Sequence, residues 1–223
     1  MAVVDSDGVD EVWCLGDITG YGARPRDCLT LTRERSALML AGNHDLVVSG
    51  KLDVNSFSAD AAIAARWAHE QLSEAERTEL AALPPLGQRE GISLYHGSIR
   101  DPVWEYVLTA ETARACLELQ TTPLTLVGHS HIALSLELGE DGRLDGGKAT
   151  TDAVVPLRGR QLLNPGSVGQ PRDRDPRAAW LLLDLEAQTA TFRRTTYDIE
   201  RTQLEIRDAG LPGRLADRLS YGA

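Results

Sequence analysis

Nowhere in this sequence does an apolar run approach the roughly 20 residues that a bilayer-spanning helix needs. The N-terminal stretch also lacks the succession of basic, apolar and small residues that marks a secretory signal. A cytoplasmic protein with no membrane partner is the expectation. Cysteine is scarce: Cys14, Cys28 and Cys116 stand at unpatterned spacings, and no C-x-x-C occurs. That argues against a disulfide framework and against a cysteine-rich structural zinc site. Cys14 lies in an apolar run and reads as a core residue. Lysine is nearly absent, Lys51 and Lys148 being the only two. The net charge is −10, whereas a general nucleic-acid binder needs a basic excess. Small phosphate-bearing substrates stay admissible, because a metal ion brings its own positive charge. No repeat, low-complexity tract or long Pro/Gly/Ser linker divides the chain, so a single domain over residues 1–223 is expected. A homo-oligomer is neither indicated nor excluded.

What is present reads as α/β. Short apolar runs alternate with helical patterns, the signature of βαβ units and a largely parallel sheet. Val12–Leu15, Ala37–Ala41, Ile92–Tyr95 and Leu124–Val127 predict four buried strands. Helices are predicted over Pro25–Glu34, Ala59–Leu72 behind Ser58, Glu74–Ala82 behind a Ser73/Glu76 capping box, Pro102–Leu108 and Glu111–Leu119. After Ile132 the texture changes. Ala133–Leu138, Ala153–Leu157, Arg160–Leu163, Ala179–Leu185 and Thr189–Thr196 predict short strands, with turns at Glu140-Asp141-Gly142 and Asp145-Gly146-Gly147. This half predicts antiparallel hairpins forming a second sheet, closed by a helix over Ile199–Arg207.

Each of the first four strands runs into residues that bind metals. The first leads to Gly16-Asp17, the second to Gly42-Asn43-His44-Asp45, the third to His96-Gly97 and the fourth to Gly128-His129-Ser130-His131. Ligands of open α/β sheets bind at the carboxyl ends of the strands, so these tips should converge. A lone histidine at a strand end is usually a hydrogen-bonded structural residue. Four of the five histidines at strand tips, two of them separated by a single residue, are better explained as a ligand set. His69, in a predicted helix beside Glu70, reads as a surface residue. One carboxylate, one amide oxygen and three imidazoles suit Mn, Fe, Zn, Co or Ni rather than Ca or Mg. A bridging carboxylate such as Asp17 is what a two-metal centre requires.

These ordered motifs, together with Leu163-Asn164-Pro165-Gly166-Ser167-Val168-Gly169, resemble the calcineurin-like metallophosphoesterase family, and within it the small bacterial and archaeal phosphodiesterase branch. The resemblance implies a four-layer αββα sandwich of two mixed sheets flanked by helices, with a dinuclear centre of divalent transition metals. It implies that Asp17 bridges both ions, that Asn43, His96 and His129 complete the second metal, and that His131 binds the first. His44 would face the scissile phosphate, stabilising its charge or protonating the leaving group. Asp45 is either a partner orienting a histidine ring or an N-cap of the next segment. The implied activity is phosphodiester or phosphomonoester hydrolysis on a small soluble phosphoester, with metal-bound hydroxide attacking phosphorus in line.

One departure stands out. The family opens on a strand ending in Asp-x-His, and no such motif occurs here. Asp5-Ser6-Asp7-Gly8 does not substitute for it. Only Val9-Asp10-Glu11 separates Gly8 from the strand at Val12, whereas a parallel crossover needs roughly a dozen residues. Residues 1–10 resemble the end of the family's first helix and the loop into its second strand, so the first strand is expected to be missing. One well-bound metal in this chain rather than two is therefore expected, and a catalytically impaired binding or scaffold relative is the rival to an enzyme. On the substrate side Tyr21, Arg100, Trp104 and Tyr106 follow the motifs. Arg100 would pair with a phosphate and the aromatics would stack on a base or aryl group, or Trp104 and Tyr106 are core residues of a short helix. Arg172 and Arg174 either reach the site or are solvated.

Overall fold

Two stretches of parallel pairing organise the computed structural model, which describes residues 2–223. After a short helix α1 (Ala2–Ser6), strand β1 (Trp13–Cys14) pairs in parallel with β2 (Leu38–Met39), and α2 (Pro25–Arg35) crosses between them. Three helices follow: α3 (Asn43–Val48), α4 (Ala59–Gln71) and α5 (Glu74–Ala82). The chain then continues through β3 (Leu86–Arg89), β4 (Ile92–Tyr95), α6 (Ala110–Leu119), β5 (Leu124–Val127), β6 (Ala133–Leu138) and β7 (Leu144–Lys148). It ends with β8 (Val154–Pro156), β9 (Arg160–Pro165), β10 (Ala178–Asp184), β11 (Thr189–Thr195), α7 (Ile199–Asp208) and α8 (Gly213–Asp217).

The strands form a six-stranded sheet of order β3-β4-β5-β9-β6-β7, a three-stranded sheet β10-β11-β8, and the β1-β2 pair. Pairing is parallel across β4-β5-β9 and antiparallel at β3, β6 and β7. Period-two alternation divides the large sheet's side chains between two cores. Ile92, Leu94, Leu124, Leu126 and Leu163 face one way, packing with Leu40, Ala190 and Phe192 from the smaller sheets. Val127, Leu134 and Leu162 face the other way, against Ala113, Cys116 and Leu117 of α6. The outer face of β1-β2, with Cys14 and Met39, packs on Leu29, Val47, Val48, Ala65, Ala68 and Leu80 of α2–α5. The layers are thus helices, smaller sheets, large sheet, α6, which is the expected αββα order. Each fully buried leucine in these cores contributes about 1.5–3 kcal/mol.

Helix α4 buries Ala61, Ala64, Ala65 and Ala68, the i, i+3, i+4, i+7 spacing of one face. Its small side chains let Ile206, Leu211 and Leu215 of the C-terminal segment approach closely. Helix α5 starts at the expected capping box, where Ser73 N–H donates to Glu76 Oε2 at 2.7 Å and Glu76 N–H donates to Ser73 Oγ at 3.3 Å.

Four expectations are corrected. Residues 102–108 are turn and extended chain rather than a helix. Asp101 Oδ1 accepts from the N–H groups of Val103 and Trp104, and Gly97 N–H donates to the Pro102 carbonyl, so a tight loop uses the groups a helix would need. The second half does not all form a separate sheet: β6, β7 and β9 complete the sheet begun by β4 and β5, and β8, β10 and β11 alone make the antiparallel second one. Asp145-Gly146-Gly147 lies inside β7, not in a turn. Gly146 has φ +107°, and a Cβ there would meet Ser135 O at 2.1 Å, so the close strand approach demands glycine. His69 is half-buried rather than superficial, with Nδ1 2.7 Å from Val48 O.

Candidate metal centre

The carboxyl ends of β1 and β2 in one sheet meet those of β4 and β5 in the other. Asn43 Oδ1 lies 3.1 Å from His96 Nε2, and His129 Nδ1 lies 3.2 Å from the same atom. Asp17 Oδ1 is 3.5 Å from His96 Nε2, while Asp17 Oδ2 is 3.8 Å from His131 Nε2. Asp17, His96 and His129 each offer an atom within 4.8 Å of the others. All five ligand candidates named from the sequence are brought together.

Local backbone geometry makes this convergence possible at a cost. Asp17, His129 and His131 hold φ near +55° to +58°, a left-handed conformation costing about 1–3 kcal/mol at each non-glycine residue. Gly16 and Gly42 supply the remaining room. A Cβ on Gly42 would fall 2.0 Å from Asp17 Oδ1, and one on Gly16 would fall 2.5 Å from Gly42 N. Asn164 shapes the Gly128–His131 loop by donating through Nδ2 to Gly128 O at 2.6 Å and to Ser130 Oγ at 3.0 Å.

Main-chain carbonyls orient the imidazoles. His96 Nδ1 bonds to Leu15 O at 2.8 Å, His131 Nδ1 to Gln170 O at 2.7 Å, and His129 Nε2 to Trp104 O at 3.2 Å. A carbonyl only accepts, so the bonded nitrogen carries the proton and the other presents a lone pair inward. His96 Nε2, His129 Nδ1, Asn43 Oδ1 and Asp17 therefore turn acceptors toward one another, an arrangement that a cation relieves. Two imidazoles, an amide oxygen and a carboxylate fit a divalent transition metal.

Titration behaviour agrees with a cation-ready site. Burial alone would raise the Asp17 carboxyl, but His96, His44 and His131 outweigh it and hold the group well below the usual carboxylate range. Burial, reinforced by His96, lowers His129 to about 4, and burial lowers His131 as well. These rings stay neutral and available as ligands at neutral pH.

His44 stands apart from the ligands. Its N–H donates to Asp17 Oδ1 at 3.0 Å, and its ring lies between Tyr21 and Phe57, with centroids 4.3 and 4.5 Å away. Nδ1 is buried with no hydrogen-bond partner, and burial lowers the ring to about 4.

Asp45 does not orient a histidine. Its carboxylate accepts from Gly42 N–H at 2.9 Å, Thr19 N–H at 2.9 Å, Ile18 N–H at 3.2 Å and Thr19 Oγ1 at 3.0 Å. It sits third in α3, closing a capping bond on Gly42 and tying the two loops that carry Asp17 and Asn43. Burial and the charge of Asp17 push its carboxyl up to about 6, against the backbone donors.

Arg100 is not presented to a phosphate, because its guanidinium is paired with the carboxylate of Glu105. Trp104 serves the site through its carbonyl on His129, while its ring meets Phe57 edge-on at 6.0 Å. Tyr106 is no core residue. It is 43% exposed and stacks on His129 with centroids 3.9 Å apart. Arg172 reaches the site: its N–H donates to His131 O at 3.0 Å and its Nη2 lies 3.4 Å from Tyr21 Oη. Arg174 instead bonds Gly222 through its N–H. Phe57 and the carbonyls of Leu15 and Gln170 carried no sequence signal, whereas Asn164, between a buried strand and Pro-Gly, was visible only as part of the family resemblance.

Imidazoles, an amide and a carboxylate at the strand tips of an αββα sandwich define a metallohydrolase-type centre. The chain belongs to the calcineurin-like phosphoesterase superfamily, whose domain model matches residues 1–188. It is 32% identical over 220 residues to an uncharacterized protein of Methanocaldococcus jannaschii, covering 96% of this chain and 88% of that protein. The crystal structure of a metallophosphoesterase from Sphaerobacter thermophilus superposes with a TM-score of 0.89 at 38% identity, covering 100% of this chain and 93% of that one. A hypothetical protein from Pyrococcus horikoshii OT3 shares the fold, with a TM-score of 0.78 at 19% identity, covering 100% of this chain and 90% of the other. No helix among the described residues is long and apolar enough to cross a membrane.

Proposed function

We propose that this chain hydrolyses small phosphoesters, diesters or monoesters, with one divalent transition metal held by Asp17, Asn43, His96 and His129. The observation that carries this reading is the meeting of four acceptor groups whose two imidazoles are each fixed by a backbone carbonyl. When bound, the cation supplies Lewis-acid polarisation of phosphoryl oxygens and acidifies water at neutral pH. The chain's own groups do the rest. Asp17 stays anionic and anchors the site. His44, uncharged and beside Asp17, donates a hydrogen bond to the phosphoryl group and so stabilises its developing charge. The stacked face of Tyr106 on His129 walls one side of the opening.

A second reading, a metal-binding relative without turnover, is favoured by one observation. His131 joins the cluster through Asp17 alone among the described residues, so two donors serve the other metal position. Assay of bis-p-nitrophenyl phosphate with Mn²⁺, beside elemental analysis after dialysis, separates the readings. The hydrolase reading expects turnover that Asn43→Ala abolishes and about one retained equivalent of metal. Retained metal without turnover supports the binding protein. Robust activity in Asn43→Ala refutes the ligand assignment.

A further inference from the structure

Residues 170 and 172 hold His131 from both sides. The His131 ring bonds through Nδ1 to the Gln170 carbonyl at 2.7 Å, and the Arg172 N–H donates to the His131 carbonyl at 3.0 Å. The Arg172 side chain makes a second connection to the centre. Its Nε and Nη2 donate to Gln170 Oε1 at 3.2 and 2.9 Å, and Nη2 lies 3.4 Å from Tyr21 Oη. The guanidinium carbon stands 5.7 Å from the centroid of the Tyr21 ring, and that ring meets the His44 ring at 4.3 Å. His44 in turn donates its main-chain N–H to Asp17 Oδ1. The guanidinium is therefore joined to the metal centre along two routes, through main chain to His131 and through Tyr21 to His44.

This hold leaves part of the guanidinium free. Arginine carries five N–H donors in a rigid fork. Gln170 and Tyr21 engage Nε and Nη2, whereas the two donors on Nη1 have no acceptor among the described residues. Gln170 is buried and neutral, so it fixes the plane of the guanidinium without cancelling its charge. That charge reaches both rings: burial and then Arg172 disfavour protonation of His131, and burial, His131 and Arg172 disfavour that of His44. His131 meets Asp17 through Oδ2, whereas His96 meets it through Oδ1, so Arg172 serves the edge of the centre opposite His96. We propose that Arg172 is a phosphate-binding residue of this centre, its Nη1 donors taking a non-bridging phosphoryl oxygen of the substrate at the His131 edge. A guanidinium stays charged across the working pH range, and its planar fork matches the spacing of phosphate oxygens. Binding of the phosphoryl group is then shared. Asp17, Asn43, His96 and His129 hold the cation on one side, and Arg172 supplies a fixed positive charge on the other.

The assignment rests on the phosphoesterase reading, so the test reads binding before turnover. Calorimetric titration of inorganic phosphate into the Mn²⁺-loaded full chain should give a Kd that Arg172→Gln weakens about tenfold or more, the worth of a charge-assisted hydrogen bond. Arg172→Lys, which keeps the charge, should weaken it less. Retained metal and thermal midpoint should match the unmutated chain in both variants, because each keeps the main-chain N–H on His131. In the unmutated chain, phenylglyoxal modification of Arg172, mapped by peptide mass spectrometry, should slow about tenfold at phosphate ten times its Kd, by mass action, while the exposed Arg174 keeps its rate. Absence of phosphate binding, a Kd unchanged in Arg172→Gln, a loss of metal that parallels the loss of phosphate binding, or equal labelling of Arg172 with and without phosphate overturns the assignment. Hydrolysis of bis-p-nitrophenyl phosphate then separates the two readings. Phosphate held through Arg172 without turnover in the unmutated chain sinks the phosphoesterase reading and leaves the phosphate contact standing. Turnover with kcat/KM unchanged in Arg172→Gln overturns the role of Arg172 alone.

Discussion

The main-chain N–H of His44 donates to Asp17 Oδ1 at 3.0 Å, while the side chain of the next residue, Asp45, receives the N–H groups of Ile18 and Thr19 on the far side of Asp17. The loop carrying the anchoring carboxylate and the helix start carrying His44 and Asn43 are therefore laced together from both sides. Displacement of either moves the metal ligands and His44 together.

That lacing makes Asp45 a structural residue with a large effect. Asp45→Ala leaves the N–H groups of Ile18, Thr19 and Gly42 without their acceptor, at about 1–3 kcal/mol for each donor left buried and unpaired. Urea denaturation should show a loss of several kcal/mol, with metal affinity falling in parallel. A stability unchanged within 1 kcal/mol would contradict the assignment.

His44 separates cleanly from the metal ligands. His44→Asn keeps the backbone bond to Asp17 and should lower kcat about 10²- to 10³-fold, the contribution of one preorganised hydrogen-bond donor, with metal content unchanged. Loss of metal together with activity would place His44 among the ligands instead.

Backbone crowding gives a steric test. Gly42→Ala puts a methyl group 2.0 Å from Asp17 Oδ1 and 2.6 Å from His96 Cε1, both in the heart of the site. Retained metal should fall below a tenth of the wild-type equivalent while far-ultraviolet circular dichroism is preserved.

The metal-stripped chain should weaken on mild acidification. His44 and His129 reach about 4 in the fold but titrate near 6.5 when unfolded, so below 6.5 the unfolded chain gains protons that the folded one refuses. Each contributes a slope of up to about 1.4 kcal/mol per pH unit, with stability falling from 6.5 toward 4. His131, also lowered, acts in the same direction. Asp45, raised to about 6 from 3.8, opposes them between those values, because its folded form takes a proton first as pH falls. Asp17, held low, loses its contribution only below the ordinary carboxylate range. Three histidines against one carboxylate leave a net decline, read by urea denaturation at pH 7.5, 6.5, 5.5 and 4.5. A flat profile would contradict it.

The loop that orients His131 depends on a buried pair. The side chains of Arg194 and Asp173 are each 6% exposed, and Asp173 Oδ2 also accepts from Ala133 N–H. Arg194→Met strands that carboxylate, at about 3–5 kcal/mol. Arg194→Met/Asp173→Leu should recover much of the loss, which a thermodynamic cycle measures.

How much of this was legible beforehand depended on the range of the interaction involved. The Ser73/Glu76 box, the strands Ile92–Tyr95 and Leu124–Val127, and the ligand pairs at strand ends are local patterns, written into neighbouring residues, and the structure reproduces them. Pairing partners are not local. Whether Arg160–Pro165 joins the first sheet or a second depends on which edge lies open beside Leu124–Val127, and only the packed chain decides that. Main-chain carbonyls are invisible in a sequence because every residue has one, so the bonds fixing His96, His129 and His131 could not be read. Charge partners behave likewise. Nothing adjacent told Arg100, claimed by Glu105, from Arg172, whose guanidinium reaches Gln170 and Tyr21. The sequence by itself determined which side chains could bind a metal and at which strand ends they would lie. The tertiary structure decided their orientation and their surroundings, because distances between residues far apart in the chain exist only once it has closed on itself.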